Sequence, residues 1–153
     1  MSITLTTTAF REGETIPKTH TADGENASPP LQWGDPPDGT QSFALIADDP
    51  DAPRGTWVHW VLFDVPPGEG GLQGGVPAAE SLPNGAKHGK NDFGKLGYGG
   101  PSPPPGKPHR YFFKLYALDK PLALSPGATK AQVEAAMKGH VLGEGRFMGK
   151  YGR

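Results

Sequence analysis

Glycine and proline interrupt this chain so often that only short apolar runs remain between them. The 153 residues include 23 glycines and 18 prolines. Glycine supplies the positive φ that many tight turns need, and proline fixes φ and removes a backbone donor. Net charge is near zero and 35% of the residues are hydrophobic, so the chain is not a disordered one. The pattern favours a loop-rich β protein.

The apolar runs have the composition and period of β-strands. Two of them are apolar on both faces, as expected for strands between two layers, and a third alternates and leaves one face partly wet. The predicted strands are 2–10, 31–33, 42–47, 57–65 and 109–118. Strict alternation in 57–65 places Trp57, His59, Val61, Phe63 and Val65 on one face and Trp60 on the other.

One helix is predicted, over 129–139. Thr129 stands at an N-cap position and Gln132 follows three residues later, which is the pattern of a capping box. Gly139 is a natural end for the helix. No internal repeat or linker divides the sequence, so we expect a single domain over 1–153.

Composition excludes several classes of function. The net charge of -1 gives no bulk attraction to nucleic acid or to an anionic membrane. The absence of cysteine excludes disulfides, thiol nucleophiles and cysteine-based metal sites. The N-terminus does not resemble a signal peptide, and no apolar run approaches the roughly 18 residues of a membrane helix. We therefore expect a cytoplasmic protein without a nucleic-acid partner or an integral membrane segment.

Two polar clusters lie where proline-rich loops meet apolar strands. If the two strands are neighbours, their loops enclose a pocket that holds two imidazoles, a phenol and a carboxylate. The first cluster is Asp49, Asp51 and His59, and the second is Gly100, Pro101, Ser102, His109 and Tyr111.

These residues are compatible with several kinds of chemistry. Ser102 lacks the G-x-S-x-G context of a hydrolase nucleophile, and no G-K-[ST] sequence supports a phosphate-binding loop. A metal site using Asp49, Asp51, His59 and His109 has suitable ligand types but no recognised spacing. A structural role also remains open, in which the histidines are hydrogen-bonded core residues and Asp49 caps its own turn.

An anion receptor is the remaining alternative. Imidazolium, a tyrosine hydroxyl and backbone N–H groups are the donors that a phosphate-like group requires. On this hypothesis Asp49 orients His59 and favours its charged form, because an opposite charge nearby stabilises the imidazolium.

The sequence resembles the phosphatidylethanolamine-binding protein family over nearly its whole length. The segments that carry the resemblance are DPDAP (49–53), WVHW (57–60) and GYGGPSPPPGKPHRYFF (97–113). They look most like the bacterial branch often labelled Raf-kinase-inhibitor-like. Ser102 departs from the many bacterial relatives that carry cysteine at this position.

The resemblance implies a mainly β fold, with two antiparallel sheets in a Greek-key sandwich and a C-terminal helix. It also implies a small pocket that binds anions such as phosphate or a phosphoryl headgroup. We expect no metal and no cofactor. The pocket residues that match the family motifs are Asp49, Trp57, His59, Gly100, Pro101, His109 and Tyr111, and Ser102 joins them at the rim.

The resemblance favours a regulatory, kinase-inhibitor-like binding module over an enzyme. The alternative function is a metal-assisted or acid/base hydrolase that uses Asp49, His59 and His109. The expected partner is a small anionic ligand, and a phosphorylated protein segment and a second copy of the chain are further candidates.

Overall fold

The computed structural model describes residues 2–153 as eight strands and one α-helix. In chain order these are β1 (Leu5–Thr6), β2 (Leu31–Trp33), β3 (Ser42–Asp49), β4 (Trp57–Val65), β5 (Gly71–Leu72), β6 (Lys87–His88), β7 (His109–Leu118), α1 (Lys130–Met137) and β8 (Val141–Tyr151). Among the described residues, no helix has the length and apolar character needed to cross a membrane.

The strands form two antiparallel sheets. The larger sheet has the order β6-β4-β3-β7-β8 and the smaller one has the order β1-β2-β5. The predicted mainly β fold with two antiparallel sheets is therefore confirmed. Strand β3 lies at the centre of the larger sheet, so β4 and β7, which begin at the two predicted polar clusters, flank it on either side.

Two apolar layers cover the faces of the larger sheet. One face packs against the smaller sheet, where Leu31 and Trp33 join Phe43 and Leu45 in a common core. The other face packs against α1. All eight residues of β3 are buried, as the sequence predicts for a strand with apolar side chains on both faces.

Helix α1 begins where the sequence predicts. The Thr129 side chain accepts a hydrogen bond from the backbone N–H of Gln132, and the Gln132 side chain accepts one from the backbone N–H of Thr129. This capping box satisfies two otherwise unpaired donors. Gly139 follows the helix with a φ of 82°, which glycine adopts without strain. Val133 and Met137 are its buried core residues.

The longest strand, β8, is the main element that the sequence pattern does not reveal. Its glycines lower strand propensity, but two of them let the N-terminal segment cross closely over the strand. A Cβ on Gly145 would lie 2.1 Å from the carbonyl oxygen of Ile3, and one on Gly149 would lie 2.5 Å from the Phe10 ring. The first strand is shorter than the predicted 2–10, because only Leu5–Thr6 pairs with β2.

A β-bulge changes the face on which the β4 side chains lie. Ala47 of β3 faces Trp60, and the next residue, Asp48, faces Val58. His59 is therefore an extra residue without a partner across the ladder, as in a β-bulge.

The prediction that His59 shares a face with Val61 and Phe63 is wrong for this reason. Val61 and Phe63 pack in the layer beneath α1, whereas the His59 ring contacts Tyr111 on the side of the smaller sheet. Strict two-residue alternation fails because a bulge shifts the side chains that follow it by one position, here as far as the second register shift, opposite 43–45.

Candidate functional site

A cavity of about 180 Å³ opens where the loops after β3 and before β7 meet. Six of the eight predicted site residues line it. They are Asp49, Trp57, His59, Ser102, His109 and Tyr111. The other lining residues are Ala52, Pro53, Phe93, Pro103 and Pro104. The three strands that meet at this end, β3, β4 and β7, are neighbours in the larger sheet, which brings the two sequence clusters together.

His59 is held by the backbone of the opposite loop. Its Nδ1 donates to the carbonyl oxygen of Gly99 at 2.6 Å, because a carbonyl can only accept. Its ring makes edge contacts with Phe93 and Tyr111, at centroid distances of 5.4 and 5.2 Å. Burial lowers the pKa of His59, although the Gly99 carbonyl and the charge of Asp49 oppose this shift. Its second nitrogen, Nε2, has no hydrogen-bond partner within residues 2–153.

Asp49 pairs with His109, which corrects the prediction that Asp49 orients His59. The distance from the Asp49 carboxylate to Nδ1 of His109 is 2.7 Å. The other carboxylate oxygen of Asp49 accepts the backbone N–H of Asp51 at 2.7 Å. Both oxygens are therefore occupied, and Nε2 of His109 is left without a partner among the described residues. The prediction that Asp49 keeps His59 charged is also wrong, because burial lowers the pKa of His59 more than Asp49 raises it.

Tyr111 lies between the two imidazole rings. Its ring stacks at 6.5 Å from His109 and stands edge-on to His59. Burial raises the pKa of Tyr111, and the negative charge of Asp49 adds to the effect. The phenol therefore stays protonated and remains a hydrogen-bond donor at neutral pH.

Asp51 secures the turn that carries Asp49. Its carboxylate accepts two hydrogen bonds from the Arg110 guanidinium and one from the Arg110 backbone N–H, at 2.8 to 2.9 Å. These bonds lower the pKa of Asp51 to about 2. Asp51 does not line the cavity; it fixes the loop of β3 against the first residues of β7.

Gly100 and Pro101 do not line the cavity, and they support its wall from behind. The N–H of Gly100 donates to the Asn26 side chain, and the carbonyl of Pro101 accepts from the N–H of Ala22. A Cβ on Gly100 would lie 2.6 Å from the carbonyl oxygen of His20, so only glycine fits this approach.

Two aromatic side chains form the mouth of the cavity. Trp57 and Phe93 pack edge to face at 5.5 Å, yet they remain 37% and 40% exposed. Sequence reasoning missed Phe93, although an aromatic residue within the long glycine-rich loop is a visible signal. It also missed Pro103, whose carbonyl accepts a hydrogen bond from the guanidinium of Arg153.

The donor set of the cavity bears on the hydrolase alternative. Within residues 2–153, no three histidine, aspartate or glutamate side chains are arranged to hold a metal ion. Asp49, His59 and His109 do not form one relay, because Asp49 contacts His109 while His59 is bonded to Gly99. What the cavity offers is two imidazole nitrogens and the hydroxyls of Tyr111 and Ser102.

Comparison with known proteins identifies the family. The family model described as phosphatidylethanolamine-binding protein matches residues 6–152. A UPF0098 protein from Methanothermobacter thermautotrophicus is 55% identical over 149 residues, which cover 97% of this chain and 98% of the relative. A UPF0098 protein from Aquifex aeolicus is 48% identical over 95% of this chain and 85% of its own length.

Solved structures agree with this match. YbcL of E. coli, described as a member of the mammalian PEBP family, superposes with a TM-score of 0.92 at 32% identity, over 100% of this chain and 99% of its own. CT736 from Chlamydia trachomatis superposes with a TM-score of 0.90 at 37% identity, over 99% and 98%. The sequence, the fold and these matches agree, and the chain belongs to the phosphatidylethanolamine-binding protein family.

Proposed function

We propose that this protein binds a small anionic group, such as a phosphate, phosphonate, sulfate or carboxylate, in the cavity beside His59, His109 and Tyr111. One observation carries the proposal. The Nε2 atoms of both histidines and the hydroxyl of Tyr111 have no hydrogen-bond partner within residues 2–153, and all three residues line the same small cavity. These three atoms are accessible to solvent, so a ligand can reach them, and an anion suits a set of hydrogen-bond donors.

Protonation of His59 would supply the charge for binding. Because both Nδ1 atoms are already donors, a proton taken up on Nε2 creates an N–H that points away from the existing bonds and a positive charge at the cavity. Asp49 is the opposing charge, but both of its oxygens accept hydrogen bonds from the protein. Such bonds reduce its repulsion of a bound anion.

The pH dependence follows from the lowered pKa of His59. The free protein keeps this ring neutral at pH 7, and an anion prefers the charged form. Affinity should therefore increase as the pH falls below 7, and it should level off once His59 is protonated in the free protein as well. Sulfate is the better probe, because phosphate itself titrates in this range.

The experiment is calorimetric titration with sulfate from pH 5 to 8. We expect wild-type affinity to increase towards pH 5. His59→Gln and His109→Gln should each weaken binding about tenfold at pH 5.5, the loss of one hydrogen bond to an anion, and His59→Gln should lose the pH dependence. His140→Gln is the matched control, because this histidine pairs with Asp119 outside the cavity. Sulfate affinity that is flat with pH in the wild type would contradict the proposal.

Regulation is the role that we favour for such a pocket, as a kinase-inhibitor-like module that reads a phosphorylated or carboxylated ligand. The support is family membership together with the set of donors in the cavity. The location in the cytoplasm stays a prediction from the sequence. Acid/base hydrolysis by Asp49 and His109 is the competing function, and turnover of a p-nitrophenyl ester or phosphate that is lost in His109→Gln would favour it.

A further inference from the structure

A second cavity lies beside the first. It has a volume of about 470 Å³ and its lining residues are Asp51, Lys107, Pro108, His109, Arg110 and Lys150. His109 lines both cavities. A molecule bound at Nε2 of His109 in the first cavity is therefore next to the second.

The second cavity has an excess of positive charge. Asp51 binds the guanidinium of Arg110 through two hydrogen bonds, so these two charges largely cancel. Lys107 and Lys150 are both exposed, and neither forms an ion pair with an acid in the part of the chain that the structure describes. Two positive charges thus remain without a counter-charge.

Lys150 also lies directly opposite a basic residue on the neighbouring strand. Arg110 and Lys150 are direct partners across the β7–β8 ladder, and like charges directly opposite each other destabilise a sheet. Asp51 offsets only one of the two. An anion between Lys107 and Lys150 would supply the counter-charge that neither lysine has among the described residues.

We propose that the ligand is a small molecule with two anionic groups. One group occupies the cavity beside His59 and Tyr111, and the second binds Lys107 and Lys150. This inference rests on the proposed function, because it assigns the first group to the same site. The first cavity, of about 180 Å³, has room for a group the size of a phosphate or carboxylate, and the second group lies at the end of a short linker.

The test compares ligands that differ only in their second group. Methylphosphonate carries one anionic group, and alkane bisphosphonates with two to six carbons carry two at increasing separation. We expect at least one bisphosphonate to bind about tenfold more tightly than methylphosphonate at pH 6, the gain from two exposed ion pairs. The gain should shrink at high salt. Phosphoethanolamine, whose second group is a cation, should show no such gain.

Two double variants separate a specific site from a general charge effect. Lys107→Gln with Lys150→Gln should remove the advantage of the best bisphosphonate over methylphosphonate. Lys120→Gln with Lys138→Gln changes the net charge equally at exposed lysines outside both cavities, and it should keep that advantage.

Failure of the second subsite and failure of the proposed function give different binding results. If methylphosphonate binds but every bisphosphonate binds no better, the second subsite is wrong and the first cavity stands. An equal gain for phosphoethanolamine, or an equal loss in the two double variants, would also overturn the second subsite. If neither methylphosphonate nor any bisphosphonate binds, the proposed function itself is wrong.

Discussion

His88 and the two histidines of the cavity show how the same side chain is used in two different ways. The His88 ring is fully buried between β4 and the loop that precedes β6. Its Nδ1 donates to the carbonyl of Ala79, and its Nε2 accepts the indole N–H of Trp60. Both ring nitrogens are occupied by the protein. His59 and His109 each use only Nδ1.

The difference lies in the second nitrogen. A neutral imidazole has one donor and one acceptor, and the environment of His88 satisfies both. Protonation of His88 would place an N–H against the N–H of Trp60, so this ring is built to stay neutral. The cavity histidines leave Nε2 open at a solvent-accessible position, where a proton or a ligand can reach it. The cavity histidines thus differ from His88 in their hydrogen bonds more than in their burial.

The largest effect should come from removing His88. His88→Ala leaves the Trp60 indole N–H and the Ala79 carbonyl unpaired in the core and opens a cavity. We expect the free energy of unfolding to fall by about 3 kcal/mol, measured by urea denaturation, whereas His109→Ala should cost less because its ring is at the edge of the cavity. If the two variants lost equal stability, the distinction between them would not hold.

Acid should destabilise the protein through the two histidines whose pKa is lowered. Burial lowers the pKa of both His59 and His88 below 6.5, so between the folded and unfolded values the unfolded chain binds more protons. Stability should therefore decrease as the pH falls from 7 to 5, by up to about 1.4 kcal/mol per pH unit for each histidine. Sulfate should offset the part due to His59 and leave that due to His88. Denaturation at several pH values, with and without sulfate, would show whether it does.

Two adjacent carboxylates provide the next test. The two carboxylate oxygens of Asp49 accept hydrogen bonds from Nδ1 of His109 and from the backbone N–H of Asp51. Asp49→Asn replaces one of these oxygens with an NH₂ group that cannot accept, so the pair with His109 is broken. We expect sulfate affinity at pH 5.5 to fall about tenfold. Asp48→Asn is the control on the other face of β3, where Asp48 binds Lys114 and Lys130; it should lower stability and keep the affinity. Tighter sulfate binding by Asp49→Asn would mean that Asp49 only repels the ligand.

The smallest effect should be that of the Tyr111 hydroxyl. Tyr111→Phe keeps the ring that packs between the two imidazoles and removes one neutral donor. We expect sulfate affinity to fall by about threefold to tenfold, which corresponds to one hydrogen bond, with the urea midpoint nearly unchanged. An unchanged affinity in calorimetry would remove the hydroxyl from the site.

Sequence patterns predicted the elements whose signals are local. The capping box of Thr129 and Gln132 and the alternation of β7 depend on residues close together in the chain, and both are confirmed. Strand β8 was not predicted, because its glycines allow the N-terminal segment to approach closely. This contact joins residues more than 130 positions apart. The strand propensity of individual residues does not reveal such a contact.

The composition of the candidate site was easier to predict than its connections. Six predicted residues do line one cavity, because polar residues at the ends of neighbouring strands are brought together by the sheet. The partner of Asp49 was wrong, since it depends on the register of β3 with β7 and on the bulge at His59. Neither the register nor the bulge can be predicted from the alternation of apolar residues.

The opposite orientation of Asp48 and Asp49 has a consequence for insertions and deletions. Asp48 points to the lysines beside α1 and Asp49 points to His109 in the cavity, and a single peptide step separates these two environments. Shifting β3 by one residue would exchange the two carboxylates and turn its apolar side chains to the wrong layers. We therefore expect this strand to accept apolar substitutions of similar volume at its buried apolar positions but no change in length between residues 42 and 49, which a scan of single-codon deletions would test.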